Sequence, residues 1–359
     1  MRIRPILICL SAFLAATLSA QAGAAATSGK SEEFPLPVFE LHSSFWINLH
    51  HTLYFEARQK KAALSRDLGS NKPHAVKSVF AAKPPLTDVE QKAWDEAVAY
   101  YAENFAEKDL LFSTELTQLK DQLGDFEDCD ELSGHKRKFC DAGLAAKLTQ
   151  ILEAAAPVYR AHLWPEHDRA NRAWIARVAP LVRDQGVGIS ERLADVYRTR
   201  WPHGKIRVDV SAYANPAGAY TTVDPLRVTI SSLDPRNQGA EALDVLFHEG
   251  SHGIAEPVQA TIIRECRQRD KPIPRDLWHA LVLFTTAEVI RPALASFAAS
   301  SNDKDEPGAN SSNAAKDLRE SFAQRGWKEY LDLLQRFWAP YLEGKASFDD
   351  AIARMVSSL

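Results

Sequence analysis

A chain of 359 residues, 45% hydrophobic and 25% charged, can build one large or two ordinary soluble globular domains. A formal charge of −4 argues against a nucleic-acid partner, which would favour a basic face. Four cysteines rule out a cysteine-dense scaffold, and none has zinc-ligand spacing.

The first 24 residues have the form of a secretory signal peptide. Arg2 and Arg4 give a positive start, Ile6 to Leu18 is apolar, and small residues follow at Ala22-Gly23-Ala24. The apolar run is short for a bilayer span, and Ile8 before Cys9 does not suit a lipoprotein signal. The expectation is an exported protein, periplasmic or secreted, without a membrane anchor. Export permits disulfides, and Cys129 and Cys140, with Gly134 between them, are placed to close a local loop. Cys266 is then an unpaired, buried side chain.

Residues 25–38 have the composition of a flexible mature N-terminus. Residues 39–200 show helical patterning, as at Trp46, Leu49, His50, Leu53 and Tyr54. Lys72 to Pro85 is a loop-like break. Thr87 with Glu90 forms a capping box that starts a long helix. Further helices are expected over Lys136 to Ala154, from His167 to about Asp184, and from Ser190. Residues 201–299 change character. Lys205 to Val210, Ala219 to Val223 and Arg227 to Ser231 alternate as strands. A helix from about Gln238 to Gly253 follows, then an apolar helix after Pro274. Residues 300–315 are rich in Asn, Ser and Asp and read as a flexible loop. Residues 316–359 form closing helices. The fold class expected is mainly α with a small antiparallel β-sheet (α+β).

The chemistry concentrates at Leu246-Phe247-His248-Glu249-Gly250-Ser251-His252. Two histidines four apart on a helix point the same way and can share one Zn2+. Glu249 lies one residue round the helix, so its expected role is general base toward the water the metal activates. The apolar approach through Leu243, Val245 and Leu246 fits a half-buried helix.

A third ligand is needed, with the fourth position left open. Metzincins require a glycine and a histidine three and six residues after the second histidine, where this chain has Ala255 and Val258. The segment most resembles the gluzincins, the H-E-x-x-H metallopeptidases of the thermolysin kind, over roughly residues 205–291. That resemblance implies a zinc-dependent peptidase with a peptide or protein substrate. It also implies a third ligand, a glutamate, from the next helix, for which Glu288 is available. Helix geometry offers His279 instead, because early residues of an antiparallel partner lie beside the end of the metal helix. The two are nine residues apart, about 180° around and roughly 13 Å along a helix, so one ion cannot take both. His279 is favoured, with Glu288 the alternative.

Gluzincins also bind substrate backbone on an edge strand before the metal helix. Gly218 to Thr222 occupies that place, with a plain hairpin the equal alternative, and Tyr220 is a candidate to stabilise an oxyanion. His50 and His51 are expected mainly as core histidines. The cluster His162, Glu166, His167, Asp168, Asn171 and Trp174 reads as a helix start, with a pocket role as the lesser alternative. Glu256 could orient His252 or simply end its helix. A non-catalytic ligand-binding protein and a zinc hydrolase of non-peptide substrates are the rival functional readings.

Overall fold

The computed structural model describes residues 38–67, 85–134, 138–300 and 311–359. The signal segment, most of the 25–38 segment and nearly all of the 72–85 break lie outside these residues. A four-stranded sheet organises the rest. Its strands are β1 (Phe39–His42), β2 (Ile206–Ser211), β3 (Ala219–Val223) and β4 (Leu226–Ser231), in the order β1-β2-β4-β3. The helices that surround it make the chain mainly α with a small sheet. The sheet is mixed rather than antiparallel throughout. β3 and β4 form an antiparallel hairpin, while β2 runs parallel to both β1 and β4. Parallel neighbours need long crossovers. Here the crossover from β1 to β2 is the whole helical layer α1 (Phe45–Asp67), α2 (Asp88–Asn104), α3 (Thr114–Asp125), α4 (Ala146–His162) and α5 (Trp164–Val196). The N-terminal region therefore contributes an edge strand to the sheet of the 201–299 region.

Alternation splits the sheet into two faces. Val208, Val210, Ala219, Val228 and Ile230 enter one hydrophobic core, with α5 and the C-terminal helices. The opposite face carries Asp209, Tyr220, Thr222 and Thr229, all buried, against α1 and α3. A second core lies there, built from α1 to α4 and including Tyr220. Asn48 ties α1 to the sheet: its amide donates to the Val210 carbonyl at 3.1 Å, and its Oδ1 accepts from the Ala212 N–H at 2.9 Å.

Several local expectations meet the structure directly. Thr87 caps α2, with Glu90 returning the bond to the Thr87 N–H at 2.9 Å. Cys129 and Cys140 are disulfide-bonded, with a Cα–Cα distance of 5.7 Å, and Cys266 is buried and free. Two helices expected over 167–184 and from 190 are one 33-residue helix, α5, which continues through Pro180. Val178 and Val182 on either side are fully buried, and such packing overrides the propensity cost of a proline. The helix expected over 136–154 begins later, at Ala146. Of the 300–315 loop, Ser300 ends one helix and 311–315 open another, α9 (Ser311–Gln324). Among the described residues no helix is long and apolar enough to cross a membrane.

Candidate metal centre

The H-E-x-x-H segment lies on α6 (Glu241–Ser251) and the residue after it. His252 keeps helical dihedrals (φ −57°, ψ −31°), so it still stacks one turn beyond His248. α6 crosses the sheet closely because Gly250 has no side chain. A Cβ there would meet the Trp201 ring at 2.9 Å and Phe39 at 3.3 Å. After α7 (Glu256–Gln268), α8 (Leu277–Ser300) returns beside α6 and presents His279 from its first turn.

The structure brings His248, His252 and His279 together. One ring nitrogen from each lies within 4.8 Å of the others, and His248 Nε2 is 3.1 Å from His279 Nε2. Ring centroids are 5.0 to 5.2 Å apart. Burial disfavours charge on all three, and each is further discouraged by its neighbours. His248 is held well below the ordinary value, His252 is lowered to about 3, and His279 is lowered to about 4, all chiefly by desolvation. Three neutral imidazoles aimed at one point form a donor set suited to a divalent metal. Ligands about 2.05 Å from a tetrahedral zinc sit roughly 3.3 Å apart, close to the His248–His279 separation. Nδ1 of His248 is buried with no hydrogen-bond partner among the described residues.

Glu249 sits beside the triad. Its carboxylate accepts from the Thr221 hydroxyl at 2.6 Å and lies 4.0 Å from His252 Nε2. The same hydroxyl is 3.0 Å from the Glu249 carbonyl, so its single proton can serve one acceptor at a time. Burial raises the Glu249 carboxyl to about 7, against the opposing Thr221 bond and the positive charges of Arg325 and Lys120. Thr221 reaches α6 because it occupies the β3 position opposite Val228, on the sheet face that packs against this helix.

Aromatic rings wall the cluster. Trp278 lies 5.6 Å from the His252 ring and 5.3 Å from His279, and Trp327 lies 5.2 Å from His279. Sequence periodicity places Trp327 in a core stripe. The chain fold turns it onto the His279 ring only after α9 has ended, so spacing alone carried no signal. Trp278 could have been found as the neighbour of His279.

Two expected residues are elsewhere. Tyr220 is on the other face of the sheet, one position along from Thr221, and its hydroxyl bonds His51 Nε2 at 2.8 Å. Strand alternation forbids it from facing the triad, which corrects the oxyanion role. Glu288 forms an ion pair with Arg291 and is not in the converging group. Its place two and a half turns beyond His279 carries it away. The edge-strand expectation is also corrected. β3 is an edge strand, but Ala219 to Thr222 are only 2–7% exposed, leaving no open edge for an added strand.

His50, His51, His162 and His167 are held by bonds within the fold, away from the triad. His51 Nδ1 bonds the Ile47 carbonyl at 2.8 Å, and His50 Nδ1 bonds the Tyr101 hydroxyl at 3.0 Å. His162 pairs with Glu90, and His167 with the Tyr159 hydroxyl. Asp168 accepts from Ser43, while Asn171 bonds Asn48 and Ser232, so this cluster joins α5 to α1 and the sheet. Glu256 is exposed in the first turn of α7. No family model, curated protein or solved structure matches this chain.

Proposed function

We propose that this chain is an exported, zinc-dependent hydrolase of peptide bonds. The observation that carries the reading is the convergence of three neutral histidine nitrogens with a buried carboxylate held beside them. A bound zinc would supply Lewis-acid polarisation of a scissile carbonyl and make water more acidic. His248, His252 and His279 would hold it, leaving one tetrahedral position for substrate or water. Glu249 takes the proton of the attacking water and returns it to the leaving amine. Burial favours a carboxyl able to hold that proton between the two steps. Thr221 orients Glu249, and Trp278 and Trp327 keep bulk water from the histidine rings. A third histidine in place of a glutamate departs from the gluzincin pattern, so the proposal rests on the donor set rather than on that resemblance.

The test is elemental analysis of the purified mature chain, beside His252→Ala and Glu249→Gln, followed by turnover on a peptide panel and an ester panel. One zinc per chain, lost in His252→Ala, with peptide cleavage lost in Glu249→Gln but zinc retained, is the expected result. Wild-type protein that holds no zinc after reconstitution overturns the proposal. Zinc without turnover of either panel favours a binding protein, and ester turnover alone a non-peptide hydrolase.

A further inference from the structure

Helix α9 ends in a tightly specified turn. Gly326 is left-handed (φ +72°), the Trp327 N–H reaches the Phe322 carbonyl at 2.8 Å, and the Gly326 N–H reaches Ala323 at 3.1 Å. This 6→1 and 5→2 pair, with the Phe322 and Trp327 rings 6.0 Å apart, is a Schellman motif with its hydrophobic contact. It fixes two side chains at once. Trp327 lands on His279, and Arg325, the capping residue, lies over the Trp327 indole with its Cζ 5.6 Å from the ring centroid.

Arg325 is unusual in its company. Its Nη1 donates to the Ser321 hydroxyl at 2.8 Å, yet it has no carboxylate within ion-pair distance among the described residues. Its positive charge bears on Glu249, His248 and His279. Arg236, whose charge bears on Arg325, is by contrast neutralised: Asp234 takes two of its N–H groups, at 2.9 and 2.6 Å, and the Pro216 carbonyl a third contact at 2.9 Å. Glu249 does not neutralise Arg325 by contact: among the described residues no hydrogen bond or ion pair joins the two, and the Glu249 carboxylate is bonded to Thr221. A guanidinium propped on an indole, with its fork of donors largely unused, is suited to a bidentate carboxylate.

We propose that Arg325 binds a carboxylate of the substrate beside the metal centre, either the C-terminal carboxylate or an acidic side chain near the scissile bond. This rests on the hydrolase reading for the word substrate, and makes Arg325 a specificity-determining residue rather than a catalytic one.

The experiment uses the full mature chain as Glu249→Gln, with and without zinc, titrated calorimetrically with paired peptides. One pair is N-acetyl-trialanine and its C-terminal amide. The other is two amidated N-acetyl tripeptides differing only in a central Glu or Gln. The carboxylate member of at least one pair should bind about tenfold or more tightly than its neutral partner. Arg325→Ala should erase that difference while leaving zinc content and the neutral peptide's affinity unchanged, and Arg325→Lys should keep part of it. The pair that responds identifies the source of the carboxylate. Equal binding within both pairs, no binding of any peptide, or a preference that survives Arg325→Ala overturns the proposal. If the preference holds but wild-type protein cleaves none of these peptides, the hydrolase reading fails and the carboxylate site stands.

Discussion

Lys120 is only 1% exposed, deep between α3 and the polar face of the sheet. Its ammonium donates to the Thr222 hydroxyl at 2.7 Å and lies 4.9 Å over the Tyr220 ring. Burial lowers its pKa to about 8, with Asp209 pulling the other way. In the unfolded chain it titrates near its ordinary 10.5. Below pH 8 both states hold the proton, and folding bears the full cost of burying the charge. Between 8 and 10.5 the unfolded state binds more protons, so stability rises with pH. At about 1.36 kcal/mol per pH across that interval, the rise attributable to Lys120 is about 3 kcal/mol. Lys120→Met keeps the unbranched stem and removes the charge. Its stability relative to wild type, from urea unfolding at each pH, should be greatest near pH 7 and decline by most of that amount by pH 10. Titrations common to both proteins cancel in the difference. A stability difference that stays flat between pH 7 and 10, or that grows, would refute the reasoning.

Three further outcomes are expected. Thr221→Val removes the hydroxyl bonded to Glu249 while preserving shape, and a hydrogen bond to a charged group contributes about 1.5–3 kcal/mol. Under the proposed mechanism kcat/KM should fall about 10- to 100-fold with metal content unchanged, and Thr221→Ser should restore it; equal rates in Val and wild type would remove Thr221 from the mechanism. Gly250→Ala places a Cβ 2.9 Å from the rigid Trp201 ring, and should cost about 1 kcal/mol net after its helix-propensity gain. Gly253→Ala meets only the movable tip of Leu226 and should stay within about 0.5 kcal/mol, so chemical unfolding that ranks the two the other way contradicts the packing argument. His279→Ala should weaken metal binding by more than about a hundredfold, whereas Glu288→Ala should leave it unchanged. Competition with a chromogenic chelator measures both, and the reverse order would return the third ligand to Glu288.

What could be read from the sequence follows the range of the interactions. His248 and His252 are linked by one helical turn, which spacing reaches; His279 lies on α8, beyond the intervening α7 that the patterning did not mark, and joins them because α8 returns beside α6. The β3–β4 hairpin is local too, and alternation marks both strands. One of the two parallel partners of β2 was out of reach because β1 is four residues long and joins the sheet from more than 160 residues upstream. Thr221 is a strand threonine like its neighbour Thr222 until the strand order decides which of them faces α6. Tyr220 failed as an oxyanion donor for the same reason: its face is fixed by register, which the hairpin sequence does not orient relative to a helix. Arg325 and Trp327 reach the site through a C-terminal turn, and no periodicity within residues 316–359 could disclose that destination.

Strand β3 writes two messages in alternate letters. Its odd-numbered Thr221 addresses Glu249 of the candidate centre, while Tyr220 and Thr222 address the lysine and histidine network behind the sheet. A protein engineer can therefore edit the two sets separately, retuning the hidden network through 220 and 222 or the buried carboxylate through 221. A one-residue insertion in the strand would exchange the messages and scramble both at once.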